Sequence, residues 1–177
     1  MVEETVEHGG GDSAIAGSVL IGKNNRIGYG SVIGSLPQDL SFDRNASSGV
    51  EIGDSNVLRE YCTIHRGTKE GTKTRIGSNN LLMVGAHLGH NTLLGDRVIL
   101  ANNVLLGGYV EIQDRVFIGG GSMVHQFTRM GTVSLMQGLS GIGKDVPSFA
   151  IAAGRNSVSA IKRNRPAQGR LQSGASE

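Results

Sequence analysis

An aliphatic residue recurs every six positions along most of this chain. Ile15, Ile21, Ile27 and Ile33 form one run, and Ile52, Leu58 and Ile64 a second. Ile76, Leu82, Leu88, Leu94, Leu100, Leu106, Ile112, Ile118, Val124, Met130, Met136 and Ile142 then follow as twelve anchors without a slip. A second track lies four residues after each anchor and is small or β-branched: Ala86, Thr92, Val98, Val104, Val110, Val116, Ser122, Thr128, Ser134 and Ser140. A period of six fits neither one helix face nor a simple alternating strand. It fits a short flat strand and a corner, repeated around a triangular prism. Three hexads close one coil, so residues 18 apart stack about 4.8 Å apart along the axis. Glycine makes up 28 of 177 residues, about 16% against a usual ~7%. It often follows an anchor directly, as in Ile21-Gly22, Ile76-Gly77, Leu94-Gly95 and Ile118-Gly119, and the expectation is that it supplies positive φ at the corners. A narrow aliphatic core accounts for the absence of Trp and an aromatic content of only 4%.

The same numbers exclude other classes. Three prolines and no Gly-X-Y period exclude collagen, and 38% hydrophobic residues are too many for a disordered linker. A net charge of +2 implies neither a nucleic-acid nor a membrane partner. The start, MVEETVEHGG, lacks the apolar stretch of a signal peptide, and no apolar run approaches the ~18 residues of a membrane helix. The single Cys62 cannot form an intrachain disulfide, which points to a reducing, cytoplasmic setting. Cys62 falls on the inward track four residues after Leu58, and is expected to be buried and inert.

Two interruptions break the run. From Gly34 to Glu51 the chain carries Pro37-Gln38-Asp39 and the polar stretch from Asp43 to Gly49; 19 residues from Ile33 to Ile52 are one more than a coil, so an extruded or irregular turn is expected. Glu70 occupies an anchor position within Gly67–Lys73, which predicts a second loop. Loops leaving a rigid scaffold often carry function. The pattern ends at Asp145-Val146-Pro147. The reading is therefore an N-terminal arm over 1–14 (setting His8 aside as mobile), a repeat domain over 15–153, and a short basic, polar tail over 154–177 that is a frayed helix or disordered.

Flat faces hold no internal pocket, so candidate chemistry must lie on outward residues where prisms meet. His87 and His90 are off both inward tracks and point outward. Stacking by 18 sets His90 under Gly108 and Gly108 under Gln126, with His125 beside it. One edge then joins an imidazole base to an unhindered backbone N–H, the parts of an acyl-transfer site. Histidines that merely pack at a subunit seam would leave the same spacing.

Specific stretches narrow this further. Ile33-Gly34-Ser35-Leu36-Pro37-Gln38-Asp39-Leu40, Thr63-Ile64-His65-Arg66-Gly67-Thr68, Ala86-His87-Leu88-Gly89-His90, Ile99-Leu100-Ala101-Asn102-Asn103 and Val124-His125-Gln126-Phe127 occur in this order. From about Ile15 to Ala153 the chain resembles the UDP-N-acetylglucosamine O-acyltransferase family that begins lipid A synthesis. The resemblance implies an all-β fold, a left-handed parallel β-helix of hexapeptide repeats, assembled as a homotrimer. It implies acyl transfer from acyl carrier protein to the 3-position of a UDP-sugar, with no metal and no cofactor beyond the acyl donor. Carried over by position, His90 is the general base and Gly108 the oxyanion donor. Gln38, Asp39 and His87 contact the sugar nucleotide, and His125 and Gln126 the nucleotide or acyl donor. The stacked column Val84, Asn102, Gly120 and Gly138 forms an acyl groove, with Gly138 limiting chain length.

The chain departs from the family pattern at four points. Asn91 stands where Asp is usual, Tyr109 where His is usual and Ser41 where Lys is usual; the fourth is an expectation, that the family's C-terminal helical domain is lacking. Arg155, Lys162, Arg163 and Arg165 could stand in for its basic residues or form a solvated tail. A diverged acyltransferase with another acceptor and a non-catalytic scaffold remain alternatives. A γ-class carbonic anhydrase, with zinc on His65, His87 and His90, is a further one. The 18-residue stack opposes it by placing His65 in the 65/83/101/119 column of another face.

Overall fold

The computed structural model describes residues 6–8 and 13–161. Short strands, most of them two residues long, run from corner to corner and assemble into three sheets of nine, seven and six strands, parallel throughout except for the last strand of the first. Face 1 carries Val57–Leu58, Leu81–Leu82, Ile99–Leu100, Phe117–Ile118 and Leu135–Met136; face 2 carries Thr63–His65, His87–Leu88, Leu105–Leu106 and Met123–Val124; face 3 carries Lys73–Ile76, Leu93–Leu94, Glu111–Ile112 and Arg129–Met130. Consecutive strands of one face pair in parallel at a step of 18, as in His87 with Leu105 and Leu105 with Met123. Every anchor from Ile21 to Ile142 is buried, and so is every residue of the small track from Ala86 to Ser140. Ile15 is the exception, 38% exposed although it pairs with Ile33, because it lies in the first coil. In the early coils the inward vertex is polar. Asn25, Asn56 and Asn80 form a buried ladder in which Asn25 Oδ1 accepts from Asn56 N–H, Asn56 Oδ1 from Asn80 N–H, and Asn80 Oδ1 from Val98 N–H.

The loops are where the reading from period alone needs correction. Ser18 pairs with Gly49 and Val32 with Thr63, a step of 31 in place of 18, so thirteen residues leave the prism between Ser35 and Gly49. The stretch is one side of the prism with an extruded loop, not a stretched coil. Gly49 pairs with Lys73 and Thr63 with His87, a step of 24, so the second loop adds six residues. An insertion of six that leaves the prism keeps the hexad phase but puts the count of faces one ahead of the chain. His65 therefore does not belong to the column of 83 and 101. It lies on face 2, where its ring packs edge-on against His87 at 5.0 Å.

Glycine's role also differs from the expectation. The positive-φ corner, three residues after each anchor, is held mainly by other residues, among them Asn91, Tyr109, Phe127 and Leu139 at φ 58, 57, 65 and 56°. The glycines directly after anchors are needed for closeness: a Cβ on Gly89 would stand 2.8 Å from Gly107 C, and one on Gly107 2.8 Å from Gln126 N. At the N-terminus Val6–His8 is a strand paired with Asn25–Ile27, so His8 is not in a mobile arm. Beyond Pro147 the coil continues at a shorter step, Met136 pairing with Ala152, and Ser157–Ile161 turns back antiparallel on Ala150–Ala153 instead of forming a frayed helix. Lys162, Arg163 and Arg165 lie outside the described residues.

Candidate functional site

The corner between faces 2 and 3 gathers the chemistry-bearing residues. His90 is half-buried, and Tyr109 N–H donates to its carbonyl at 2.9 Å. Gly108 sits directly above it and is buried. The Gly108 N–H has no protein acceptor among the described residues. At the corner following face 3 the equivalent N–H groups are capped: Ser78 N–H donates to Asp96 Oδ1 at 2.7 Å, Asp96 N–H to Asp114 Oδ1 at 2.9 Å, and Thr132 N–H to Gln113 Oε1 at 3.0 Å. Asp114 at that corner, and His90 and Gln126 in the column of Gly108, likewise meet no acceptor for this N–H among the described residues, so what sets Gly108 apart is its close stacking on the His90 imidazole.

Asn91 follows His90 at positive φ and is buried, and its Oδ1 lies 3.2 Å from His90 Nδ1. The same oxygen accepts from Thr68 N–H and Thr68 Oγ1, each at 3.0 Å. Thr68 comes from the six-residue insertion, so that loop returns to the site. Tyr109 completes the group: its hydroxyl is 2.9 Å from Thr68 Oγ1, its ring meets His90 edge-on at 5.2 Å, and it stacks on Phe127 at 5.1 Å.

His87 is half-buried on face 2, with Nδ1 2.7 Å from Thr63 Oγ1. Burial lowers its pKa, and that of its neighbour His65 to about 4, with the positive potential of His87 and His90 adding to the effect on His65. Burial therefore favours the neutral form of both rings. The thirteen-residue loop brings Asp39 near enough for the His90 charge to act on it. Its carboxylate sits below the ordinary range first because Ser41 donates from Oγ at 2.7 Å and from its N–H at 2.9 Å. The Arg66 guanidinium lies 5.4 Å from the Phe42 ring centre, beneath this loop. Gln38 is exposed.

Farther along face 2, His125 and Gln126 are exposed, and His125 Nδ1 is 3.1 Å from the Gln126 carbonyl. His125 lines an open cavity of about 370 Å³ with Met123, Gly143, Asn156 and Arg155, and Arg155 is the one of the four basic tail residues named above that lies among the described residues. At the corner between faces 1 and 2 the expected column holds. Asn103 N–H donates to the Val84 carbonyl, Gly121 N–H to Asn102 and Leu139 N–H to Gly120, which stacks Val84, Asn102, Gly120 and Gly138 in line.

Sequence reasoning brought His90 and Gly108 together correctly, and placed Gln126 in the same stack. It missed Thr68, whose contact with Asn91 depends on the path of the inserted loop. The pairing of His65 with His87 was missed for the same reason.

Comparison with known proteins agrees with this geometry. Residues 73–108 match the family described as bacterial transferase hexapeptide (six repeats). The chain is 46% identical over 143 residues to an acyl-[acyl-carrier-protein]–UDP-N-acetylglucosamine O-acyltransferase of Gloeothece citriformis, covering 81% of this chain and 51% of the relative. Among solved structures, the UDP-N-acetylglucosamine acyltransferase of Bacteroides fragilis superposes with a TM-score of 0.81 at 38% identity, covering 89% of this chain and 62% of that one. The UDP-N-acetylglucosamine O-acyltransferase of Moraxella catarrhalis gives 0.70 at 35% identity, covering 92% and 75%. These neighbours make the coil a left-handed parallel β-helix. The chain spans about half the length of the curated relatives it matches.

Proposed function

Because the chain belongs to the UDP-N-acetylglucosamine acyltransferase family of hexapeptide-repeat proteins, we propose that it transfers an acyl chain from acyl carrier protein to the 3-hydroxyl of UDP-N-acetylglucosamine, the first step of lipid A synthesis. The observation that carries this reading is the close stacking of Gly108 on the His90 imidazole, with a Gly108 N–H that meets no acceptor among the described residues. His90 Nε2 takes the proton of the attacking hydroxyl while Nδ1–H is held by Asn91. The hydroxyl oxygen bonds to the thioester carbonyl carbon, and Gly108 N–H donates to the oxyanion. Collapse breaks the C–S bond; the carrier thiolate leaves and takes the proton back from the imidazolium. The step balances without a metal or further cofactor.

Asp39, Gln38 and His87 are the proposed sugar-nucleotide contacts, with His125 and Gln126 meeting the nucleotide or the donor. The glycines of the Asn102, Gly120 and Gly138 column let an acyl chain approach the backbone. A homotrimer in the cytoplasm is the proposed form. Face 1 presents Val57, Leu81, Ile99, Phe117 and Leu135 outward, and face 2 exposes Leu105 and Met123, apolar surface suited to other copies of the chain. Face 3 instead carries Glu51 paired with Lys73 and Arg75. Incubating the protein with acyl carrier thioesters and a panel of UDP-sugars, with products read by mass, tests the reading. Acylated UDP-N-acetylglucosamine is expected, and no transfer to any sugar would reject it.

A further inference from the structure

Asn91 sets a problem that a carboxylate at the same place would not. Its side chain can present either an oxygen or an amino group to His90 Nδ1, and the two choices select opposite imidazole tautomers. With Oδ1 facing the ring, Nδ1 carries the hydrogen and Nε2 has a free lone pair. With Nδ2 facing the ring, the hydrogen moves to Nε2, and the atom that must accept the substrate proton is blocked.

The contacts around Asn91 resolve the choice. Thr68 N–H can only donate, and it meets Oδ1 at 3.0 Å. Thr68 Oγ1 has a single hydrogen and two neighbours, Asn91 Oδ1 at 3.0 Å and Tyr109 Oη at 2.9 Å. When the Tyr109 hydroxyl donates to Thr68, the Thr68 hydrogen is committed to Asn91, and a third donor, His90 Nδ1–H, completes the set at 3.2 Å. The Tyr109 ring also fixes the imidazole plane by its edge-on contact, and is itself held by the stack with Phe127.

We propose that Tyr109 is a positioning residue that acts through Thr68 and Asn91 to hold His90 in the tautomer with Nε2 free. The assignment rests on the acyltransferase reading for its kinetic consequence, but its structural content is read without substrate. It also makes Asn91 and Tyr109 a coupled pair: a carboxylate at 91 presents oxygen in either orientation and has no need of the hydroxyl at 109.

Imidazole ¹⁵N spectra of the full chain at alkaline pH test the tautomer directly. The wild type is expected to show His90 hydrogen on Nδ1, and Tyr109→Phe and Thr68→Val, in which Thr68 N–H is left as the fixed donor to Asn91 Oδ1, to show a measurable rise in the Nε2–H tautomer. An unchanged His90 tautomer in both variants would overturn the proposal. In turnover, Tyr109→Phe is expected to lower kcat roughly tenfold with KM for the UDP-sugar within about twofold, the weight of one positioned hydrogen bond. In the Asn91→Asp background the same change is expected to cost under about twofold. An equal loss in both backgrounds would mean an independent structural role and would also overturn it. A wild type without turnover would reject the acyltransferase reading alone, and the spectra would still decide this one.

Discussion

Gly108 stands one coil above His90 with no space for a side chain: a Cβ there would lie 2.5 Å from His90 Nε2 and 3.0 Å from Nδ1. The glycine is therefore set by the imidazole below it. Gly108→Ala is expected to fold, since this glycine does not have positive φ. It should displace the ring and lower kcat by about 10- to 100-fold, the usual effect of a misplacement near 1 Å. Thermal unfolding checks the fold and steady-state kinetics the loss; full activity would remove the stacking from the mechanism.

His65 supplies a pH dependence of stability. Its folded pKa is about 4 against an ordinary 6.5, because burial and the nearby histidines disfavour its charge. The unfolded chain then binds more protons between those values, so stability rises with pH across that window and is lost as pH falls from about 6.5 to 4. The stability lost between neutral pH and pH 4 is limited to about 3 kcal/mol. Urea midpoints measured from pH 7 to 4 should fall, and His65→Gln should flatten the slope.

Cys62 is buried with no exposure, and its thiol is pushed up to about 11 by that burial, while Sγ lies 3.4 Å from the Met83 carbonyl. It is expected to resist thiol reagents until the protein unfolds. Fast stoichiometric labelling under native conditions would contradict the register of the whole early prism.

His125 differs from His90 in its surroundings. It is exposed, its Nδ1–H faces the Gln126 carbonyl, and it shares a cavity with Arg155 and Asn156. His125→Ala is expected to raise KM for one substrate about tenfold while kcat changes by less than about threefold. A loss confined to kcat would instead mark it as part of the chemistry.

The hexad was legible because its anchors are also the core: Leu88, Leu106 and Val124 are 2% exposed or less, so no other residue type could hold those positions. The His90–Gly108 stack followed from the step of 18, which holds without interruption from Ile76 to Ile142. Below Ile76 the period misled. An insertion of six leaves the hexad phase intact but adds a hexad that occupies no face, and counting by 18 puts His65 on the wrong side on that account. Thr68 lies within the insertion, so its bonds to Asn91 and Tyr109 had no periodic signal. The departures at Asn91 and Tyr109 were visible one by one, whereas the hydroxyl that links them is a property of the loop path.

The central claim is that the His90 imidazole is the general base. Replacing it by Ala and following transfer from an acyl carrier thioester to UDP-N-acetylglucosamine tests this most directly. Turnover is expected to fall by about 10²–10⁴-fold with substrate binding roughly intact. Near-normal turnover in His90→Ala would contradict the account.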